Sequence, residues 1–495
     1  MKYRFDAIIL GILSLSLLTV GWACSSGENA GETMPITTTS EKAKGLYIKG
    51  RELAENVRAQ ESIEYFEQAL ELDPNFAMAH LRLSFTAPST RQFFEHFNAA
   101  KALVDKVSDG ERMWILGVEA AVNGDPALQQ SHYEQLVAAY PKDKRAHNLL
   151  GNQLFGQQKY EEALAAYEKS RAIDPDYAPN YNQIGYCYQF LGNFEAAEKA
   201  LKRYLELIPD DPNPYDSYAE LLIKMGKFEE SLANYRKAVE LNSRFLPSYY
   251  GIAANLYLTG RHKEARKELY QQYLRALNNA QRRGILLATA ITYIDQEDYQ
   301  QALRELNDRF QIAEADEDVP TMSNDLALMA GILITTHEAD SALILYNRSM
   351  ELIESSDLTE EVKKVSRVGH LSNLALAAWA KGDLETARAR LIEYHEAISE
   401  SNVGQMQNYH AVAGLIALQA EEYQRAIDHL QQTNHHRNAI SSYYLGEAYV
   451  GLSETEKGKE YIARAAHFNS VNDLNYALIR ARATRRLEEL QSAGT

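Results

Sequence analysis

Three series of positions along the chain share one spacing of 34 residues. Small residues form the first two series, and prolines form the third. The series are Gly117, Gly151, Gly185, Ala219 and Ala253; then Ala163, Ala197, Ser231 and Ala265; then Pro141, Pro175 and Pro209. A fixed period of this length is the sequence signature of a solenoid, in which each repeat packs mainly on its neighbours.

One such period, Lys144–Tyr177, predicts two helices. Apolar residues recur at three- and four-residue steps in each half, which is typical of a helix with one buried face. Gly156 separates the two halves. Pro175 ends the second helix because proline lacks the backbone donor and disfavours helix in the residue before it. We expect the two helices to cross at Gly151 and Ala163, where a larger side chain would push them apart.

This pattern (an aromatic, Leu-Gly, Tyr, then Ala, an aromatic, Ala and Pro) resembles the tetratricopeptide repeat, TPR. The clearest units are Lys144–Tyr177, Ala178–Asp211 and Pro212–Phe245, and an earlier one covers Ala43–Phe76. A degenerate unit follows at Ala77–Asp109. The resemblance implies an all-α fold, a right-handed superhelical solenoid of about twelve helix-turn-helix units with a C-terminal capping helix.

The spacing of the small residues drifts after Ala253, which suggests a division of the repeats. We predict a regular N-terminal array over 43–280, a degenerate C-terminal array over 281–472, and a capping helix and tail over 473–495. The break near Leu274–Arg283 leaves open whether these are two arrays or one continuous superhelix. A polar-backed last helix is what an open solenoid end needs for solubility.

The N-terminus reads as a targeting segment. Lys2 and Arg4 precede an apolar run, Ala7–Trp22, which is shorter than the roughly 20 residues of a spanning helix and suits a signal-peptide core. The run ends at Ala23-Cys24, which resembles a bacterial lipoprotein signal, cleaved before the cysteine and lipidated on its thiol. A plain secretory signal or an uncleaved anchor are the alternatives.

The lipoprotein resemblance gives the expected location. Residues 1–23 would be the signal peptide, and residues 24–42 would be the lipidated Cys24 and a flexible tether, because they are rich in Ser, Thr, Gly and Glu. Ser25 after the lipidated residue favours the outer membrane, with the chain facing the periplasm.

Charge and cysteine content exclude several classes of protein. The formal net charge of −17 argues against nucleic-acid binding, because phosphate contacts need clustered Lys and Arg. The two cysteines, Cys24 and Cys187, cannot form a disulfide-rich scaffold or a four-thiolate zinc site. Cys187 lies inside a first helix and is expected to be a buried structural thiol.

The 31 tyrosines mostly occupy the aromatic packing positions of the repeat. The resemblance places a smaller polar and aromatic set on the concave face of the first helices: Arg145, Asn148, Asn152, Asn182, Tyr186, Gln189, Phe190, Tyr250 and Tyr257. Asparagines there can bond to a peptide backbone, and tyrosines offer flat contact area. The alternative is an ordinary hydrated helix face. Asn148 stands where related peptide carboxylate clamps have a lysine, so we expect peptide or loop binding rather than carboxylate clamping.

Sequence motifs for catalysis are absent. The chain has no G-x-x-x-x-G-K-[ST] loop, G-x-S-x-G elbow or H-E-x-x-H helix, so we expect no enzyme activity, cofactor or metal. The leading hypothesis is a protein-interaction scaffold that binds a partner protein or peptide on its concave face, held at the membrane by lipid on Cys24. The alternative is a glycan-binding lipoprotein of a nutrient-uptake system, although three tryptophans leave few stacking platforms for sugars.

Overall fold

The computed structural model describes residues 33–399, 402–435 and 437–492. The predicted signal peptide and Cys24 lie outside the described residues. Within those ranges the regular elements are 25 α-helices and one short 3₁₀ turn, Val104–Lys106, and there is no strand. Along the same ranges, none of the helices combines the length and apolar character needed to cross a bilayer.

The helices alternate with short turns from one end of the described chain to the other. The first ten are α1 (Glu41–Glu55), α2 (Ala59–Leu72), α3 (Ala77–Thr86), α4 (Thr90–Lys101), α5 (Asp109–Val122), α6 (Pro126–Ala139), α7 (Lys144–Gly156), α8 (Tyr160–Ile173), α9 (Ala178–Phe190) and α10 (Phe194–Leu207). The next are α11 (Pro212–Lys224), α12 (Phe228–Leu241), α13 (Leu246–Leu258), α14 (His262–Arg275), α15 (Asn279–Asp295), α16 (Tyr299–Ala315), α17 (Val319–Thr335) and α18 (Ala339–Glu354). The last are α19 (Glu360–Ala380), α20 (Leu384–Ala397), α21 (Val403–Gln419), α22 (Tyr423–Leu430), α23 (Ala439–Gly451), α24 (Thr455–Ala466) and α25 (Leu474–Ser492).

Consecutive helices form helix-turn-helix pairs, from α1 with α2 to α23 with α24. In the pair of α11 with α12, the hydroxyl of Ser231 donates to the backbone oxygen of Ala219. The described residues therefore contain twelve pairs followed by the single helix α25, which confirms the predicted all-α repeat architecture. Glycines end several first helices in the left-handed region that side chains disfavour, with φ of 76° at Gly192, 73° at Gly226 and 81° at Gly260. These turns recur with the same 34-residue period as the crossings.

The crossing of each pair depends on a small residue in its first helix. An added Cβ at Gly151 would lie 2.6 Å from Cε1 of Tyr167, and one at Gly117 would lie 2.3 Å from Cε1 of Tyr133. Both aromatic side chains are buried. The glycine therefore makes room for the ring of the second helix, which is why a small residue recurs at this position.

The chain divides into two compact units, and the division falls between Ser217 and Tyr218 inside α11. The described part of unit 1 is 33–217, and that of unit 2 is 218–492. The change in repeat spacing near residue 280 does not coincide with this division, because residues on both sides of it, including Leu269 and Ile285, share one hydrophobic core.

Unit 1 is tightly curved, because its first helix contacts helices much later in the sequence. Arg145 of α7 donates two hydrogen bonds to Glu55 of α1, at 2.8 and 3.1 Å. Arg58, just after α1, lies 3.8 Å from a carboxylate oxygen of Asp211, just before α11. The inner side of unit 1 is therefore partly filled by its own side chains.

The last helix, α25, joins the end of unit 2 to its beginning. It packs on α23 and α24 and also on α15. Arg480 of α25 binds Asp295 of α15, and Ala477 lies in the same core as the residues of α13 and α15. The expected capping helix thus covers the last pair and, in addition, contacts a first helix far back in the sequence.

Candidate functional site

Seven of the nine predicted binding residues lie on two first helices of unit 1. Helix α7 carries Arg145, Asn148 and Asn152, and helix α9 carries Asn182, Tyr186, Gln189 and Phe190. Steps of three, four and seven residues place each set on one helix face, and we call these seven residues the α7–α9 surface. Asn148 and Asn182 are equivalent positions, 34 residues apart, in consecutive repeats.

The amide side chains of this surface are deeply buried and largely unpaired. Asn182 is 3% exposed and Gln189 is 6% exposed. Among the described residues, no hydrogen-bond partner exists for Oδ1 of Asn148, Oδ1 of Asn182, or either amide atom of Gln189. A buried polar group without a partner costs about 1–3 kcal/mol, so these groups oppose folding of the unliganded chain. Asn152 differs, because its Oδ1 accepts a 2.7 Å hydrogen bond from the Tyr167 hydroxyl.

An aromatic cluster lies beside these amides. The ring of Phe190 contacts Phe155 and Tyr160, with both centroid distances at 5.3 Å, and stacks on Tyr186 at 6.3 Å. Phe190 is half-buried, so the cluster reaches the surface. Amide groups and aromatic faces together can bind the backbone and the apolar side chains of an extended peptide.

Arg145, predicted to contact a peptide, forms an ion pair within unit 1. Its guanidinium binds both carboxylate oxygens of Glu55, and Arg82 and Arg51 approach the same carboxylate at 3.6 and 3.8 Å. Burial alone would raise the pKa of Glu55, but these guanidiniums, Arg145 foremost, hold it below its usual value. The ion pair joins α1 to α7 and leaves Arg145 with a structural role.

Tyr250 and Tyr257 belong to unit 2 and do not join the α7–α9 surface. Tyr257 is buried, and its hydroxyl donates a 3.2 Å hydrogen bond to the backbone oxygen of Ser470, just before α25. Tyr250 is half-buried, and its hydroxyl would lie 2.6 Å from a Cβ added at Gly284. Tyr257 therefore packs inside unit 2 near the start of α25, and its assignment as a peptide contact stays a prediction.

Residues 33–40 belong to the segment 24–42 that the sequence indicates as a tether, and Thr37–Thr39 form hydrogen bonds with the repeats. Glu111 accepts hydrogen bonds from the backbone N–H of Thr37 at 2.8 Å and from its hydroxyl at 2.5 Å. Asp73 accepts from the hydroxyl of Thr38 at 2.6 Å and from the N–H of Thr39 at 2.9 Å. The sequence analysis does not identify Asp73 and Glu111 as binding residues. The pattern that could have indicated them is the recurrence of an acidic residue at or near the start of several first helices.

A cavity of about 400 Å³ borders this segment on the inner side of unit 1. Its lining includes the apolar and aromatic side chains of Tyr47, Met78 and Trp114 and the cationic side chains of Arg51 and Lys144. Thr33–Ile36 form part of its wall, so space remains next to the bound segment.

Features of catalytic or metal sites are scarce in the described part of the chain. No group of three or more His, Cys, Asp or Glu side chains there has a geometry able to hold a metal ion. Cys187 is buried, and burial raises the pKa of its thiol to about 12, which keeps it protonated and unreactive.

Comparison with protein families identifies the repeats. Models described as tetratricopeptide repeat match residues 43–76, 116–178, 154–221, 219–280 and 368–391. The chain therefore contains tetratricopeptide repeats, and these include the pairs that form the α7–α9 surface.

Individual relatives are distant and cover part of the chain. The Hsp70-Hsp90 organizing protein of Triticum aestivum is 23% identical over 161 residues, which are 32% of this chain and 27% of that protein. The tetratricopeptide repeat-containing protein trd-1 of Caenorhabditis elegans is 23% identical over 137 residues, 21% of this chain and 18% of that protein. The chain thus spans about a quarter of the length of these relatives or less.

Solved structures of repeat proteins are also similar. A tetratricopeptide repeat protein from Parabacteroides merdae shares 15% identity, covers 52% of this chain and 99% of its own, and has a TM-score of 0.38. A thermophilic TPR protein from Thermus thermophilus shares 23% identity, covers 43% of this chain and 98% of its own, and has a TM-score of 0.29.

Proposed function

We propose that this chain, built from tetratricopeptide repeats, is a non-catalytic scaffold that binds an extended peptide or loop of a partner protein on the α7–α9 surface. The observation that carries the proposal is a group of buried amide atoms without a hydrogen-bond partner beside an aromatic cluster: Oδ1 of Asn148, Oδ1 of Asn182 and both amide atoms of Gln189. A peptide backbone supplies donors and acceptors in alternation, which matches what amide side chains need. Because these atoms are buried in the unliganded chain, the amide side chains would turn outward to meet the peptide, and binding would then recover the hydrogen bonds that folding leaves unmade.

The partner class is supported by charge and by relatives. The net charge of −17 favours partners with basic patches. One relative is named an Hsp70-Hsp90 organizing protein, so a repeat region like this one occurs in a protein that organises other proteins. Ion pairing already occupies Arg145, so the contacts left for a partner on this surface are amides and aromatic rings.

We further propose that the scaffold is held at the bacterial envelope by lipid on Cys24. Support comes from the apolar run Ala7–Trp22 and the Ala23-Cys24 sequence that follows it. Metabolic labelling with palmitate in a bacterial host should give a labelled protein, and Cys24→Ser should remove the label. Label that persists in Cys24→Ser would contradict lipid attachment at this residue.

The binding proposal is tested with two variants of the full chain. In Asn182→Leu/Gln189→Met the amides of the surface become apolar groups of similar size. In the control Gln135→Met the same change is made on an exposed side chain of α6.

Each protein is crosslinked in envelopes and purified, and co-purified proteins are quantified by mass spectrometry. We expect a partner that wild type and control retain and the double variant loses at least tenfold. Identical co-purification from all three would refute the α7–α9 surface as the binding site.

A further inference from the structure

Residues 34–39 lie on unit 1 in the way a bound extended peptide would. The N–H of Met34 donates to Oδ2 of Asp143 at 2.7 Å, and Thr37, Thr38 and Thr39 donate to Glu111 and Asp73. The segment therefore uses main-chain amides and hydroxyls as donors, and unit 1 supplies carboxylates as acceptors.

The three carboxylates belong to consecutive repeats and form a row, which we call the carboxylate edge: Asp73, Glu111 and Asp143. Asp73 follows α2 and precedes α3, Glu111 lies in the first turn of α5, and Asp143 is the N-cap of α7. Each acceptor therefore lies close to the start of a first helix. Because the repeats place these starts side by side, an extended chain can cross all three.

The carboxylate edge favours a polypeptide segment that donates hydrogen bonds. Ionised carboxylates accept hydrogen bonds and cannot donate, and bonds to them are stronger than bonds between neutral groups. Burial alone would raise the pKa of Asp73, but the bonds from Thr38 and Thr39 keep it below its usual value. A segment with Thr or Ser and no acidic residue fits this edge, whereas an acidic segment would be repelled.

Residues 33–40 are held by these polar contacts and by two apolar side chains, Met34 and Ile36, which pack partly buried against the core of unit 1. From Thr33 to Ser40 no residue is fully buried, so every residue of the segment keeps some contact with solvent. The cavity of about 400 Å³ lies along Thr33–Ile36 and leaves room for an incoming chain. Its anchored end is Ser40, whose side chain caps α1 by accepting from the N–H of Ala43.

We propose that the carboxylate edge binds an extended, Thr- or Ser-rich and non-acidic segment of a partner protein, and that residues 33–40 occupy the edge until the partner displaces them. This inference rests on the proposed function in one respect: the partner is a polypeptide. It places a second contact surface on unit 1, separate in its residues from Asn182 and Gln189.

The test measures peptide binding to the full chain by fluorescence anisotropy. The probes are fluorescein-labelled TMPITTTS, which is the sequence of residues 33–40, and TMPIVVVS, in which valines replace the three threonines that correspond to Thr37–Thr39. The proteins are wild type, Thr37→Val/Thr38→Val, and that variant with Asp73→Asn/Glu111→Gln added. Valine keeps the shape of threonine and removes the two hydroxyl donors to Glu111 and Asp73, while the main-chain N–H donors remain. The resident segment is therefore weakened and the edge itself stays intact. Circular dichroism verifies that each variant is folded.

We expect Thr37→Val/Thr38→Val to bind TMPITTTS at least tenfold more tightly than wild type does, and tenfold more tightly than it binds TMPIVVVS. Adding Asp73→Asn/Glu111→Gln should weaken binding of TMPITTTS at least tenfold. Equal affinity in wild type and Thr37→Val/Thr38→Val, equal affinity for the two probes, or no binding by the folded variant would overturn the inference. These readouts are independent of Asn182→Leu/Gln189→Met, so failure of the α7–α9 proposal would be recognised separately.

Discussion

Arg480 binds Asp295 across 185 residues of sequence, through Nε to Oδ1 and Nη2 to Oδ2, each at 2.5 Å. The Asp295 side chain is fully buried, and it also bonds Nε2 of His262 at 2.8 Å. This bidentate pair is the most deeply buried polar link between α25 and α15. The partly exposed pair of Arg485 with Glu297 lies five residues further along α25 and joins it to the turn that follows α15.

Removing Arg480 should strongly destabilise unit 2. Arg480→Met leaves the Asp295 carboxylate buried without its guanidinium, and breaking a buried pair in this way costs about 3–5 kcal/mol. Urea unfolding, together with hydrogen exchange of the α15 and α25 amides, measures the effect.

The control for this experiment is Arg485→Met. The Arg485 side chain is 55% exposed, so its ion pair is screened by water, and exposed pairs contribute roughly 0–1 kcal/mol. Equal losses in Arg485→Met and Arg480→Met would contradict the importance assigned to the buried pair.

The repeat architecture was predictable because each repeat is specified locally. Gly151 and Tyr167, only 16 positions apart, already encode the crossing of α7 and α8. The position of α25 was not predictable, because its pattern shows an amphipathic helix but does not indicate that Arg480 meets Asp295. Contacts between residues far apart in sequence leave no periodic signal.

Replacing the unpaired amides should stabilise the protein. Asn182→Leu and Gln189→Met each remove a buried polar group that lacks a partner among the described residues, and we expect a gain of about 1 kcal/mol in the free energy of unfolding. Chemical denaturation of the purified single variants measures it.

Asn213 is the matched comparison for those amides. It is buried in the same unit, and its Nδ2 donates a 2.8 Å hydrogen bond to the hydroxyl of the buried Tyr204. Asn213→Leu should therefore lose about 1–3 kcal/mol, because it leaves that hydroxyl unpaired. The opposite signs expected at Asn182 and Asn213 are the diagnostic result, and a loss at both positions would contradict it.

Two glycines of unit 2 should respond oppositely to alanine. A Cβ at Gly251 would lie 2.1 Å from Cζ of Tyr235, so Gly251→Ala forces the ring to move and should cost about 1–3 kcal/mol. Gly331, inside α17, has nothing within 4 Å of an added Cβ, so Gly331→Ala should stabilise by about 0.5–1 kcal/mol. Thermal unfolding of the two variants distinguishes them, and a loss in both would contradict the crossing argument.

Acid should destabilise the region of α21 and α22. The Nδ1 atoms of His410 and His429 are 3.0 Å apart. Burial is the main cause that lowers the pKa of His410, and the charge of His395 lowers it further. Burial is also the main cause that lowers the pKa of His429, followed by the charge of His410. Both rings are therefore favoured neutral in the folded chain. The contribution of the neutral rings to the free energy of unfolding is complete above the ordinary histidine pKa of 6.5. It is lost as the pH falls through the lowered pKa values that the two histidines have in the folded chain.

The measurement is the melting temperature at pH 7.5 and at pH 5. Wild type should lose a few degrees on acidification, at about 2–4 °C per kcal/mol for a unit of this size. His429→Gln should lose less, because one member of the pair no longer titrates. His467→Gln, a change at an exposed histidine, should behave like wild type. Equal acid sensitivity in all three would contradict the role of the pair.

The α7–α9 surface was predictable in position but not in character. Resemblance to known repeats indicated Asn182 and Gln189, because inner-face positions recur with the period. Their burial, at 3% and 6% exposure, is a property of the folded unit that the repeat period does not indicate. Similarly, the composition of residues 33–40 indicates weak intrinsic structure, and the acceptors that hold them come from three other repeats.

The return of α25 to α15 changes how unit 2 should unfold. Repeat arrays with contacts only between neighbours can lose structure progressively from a free end. Because the last helix of unit 2 is packed on α15, opening either region also breaks contacts of the other. We therefore expect unit 2 to unfold as one cooperative block, and to fold more slowly than a linear array of equal length, because this pairing must close a long loop.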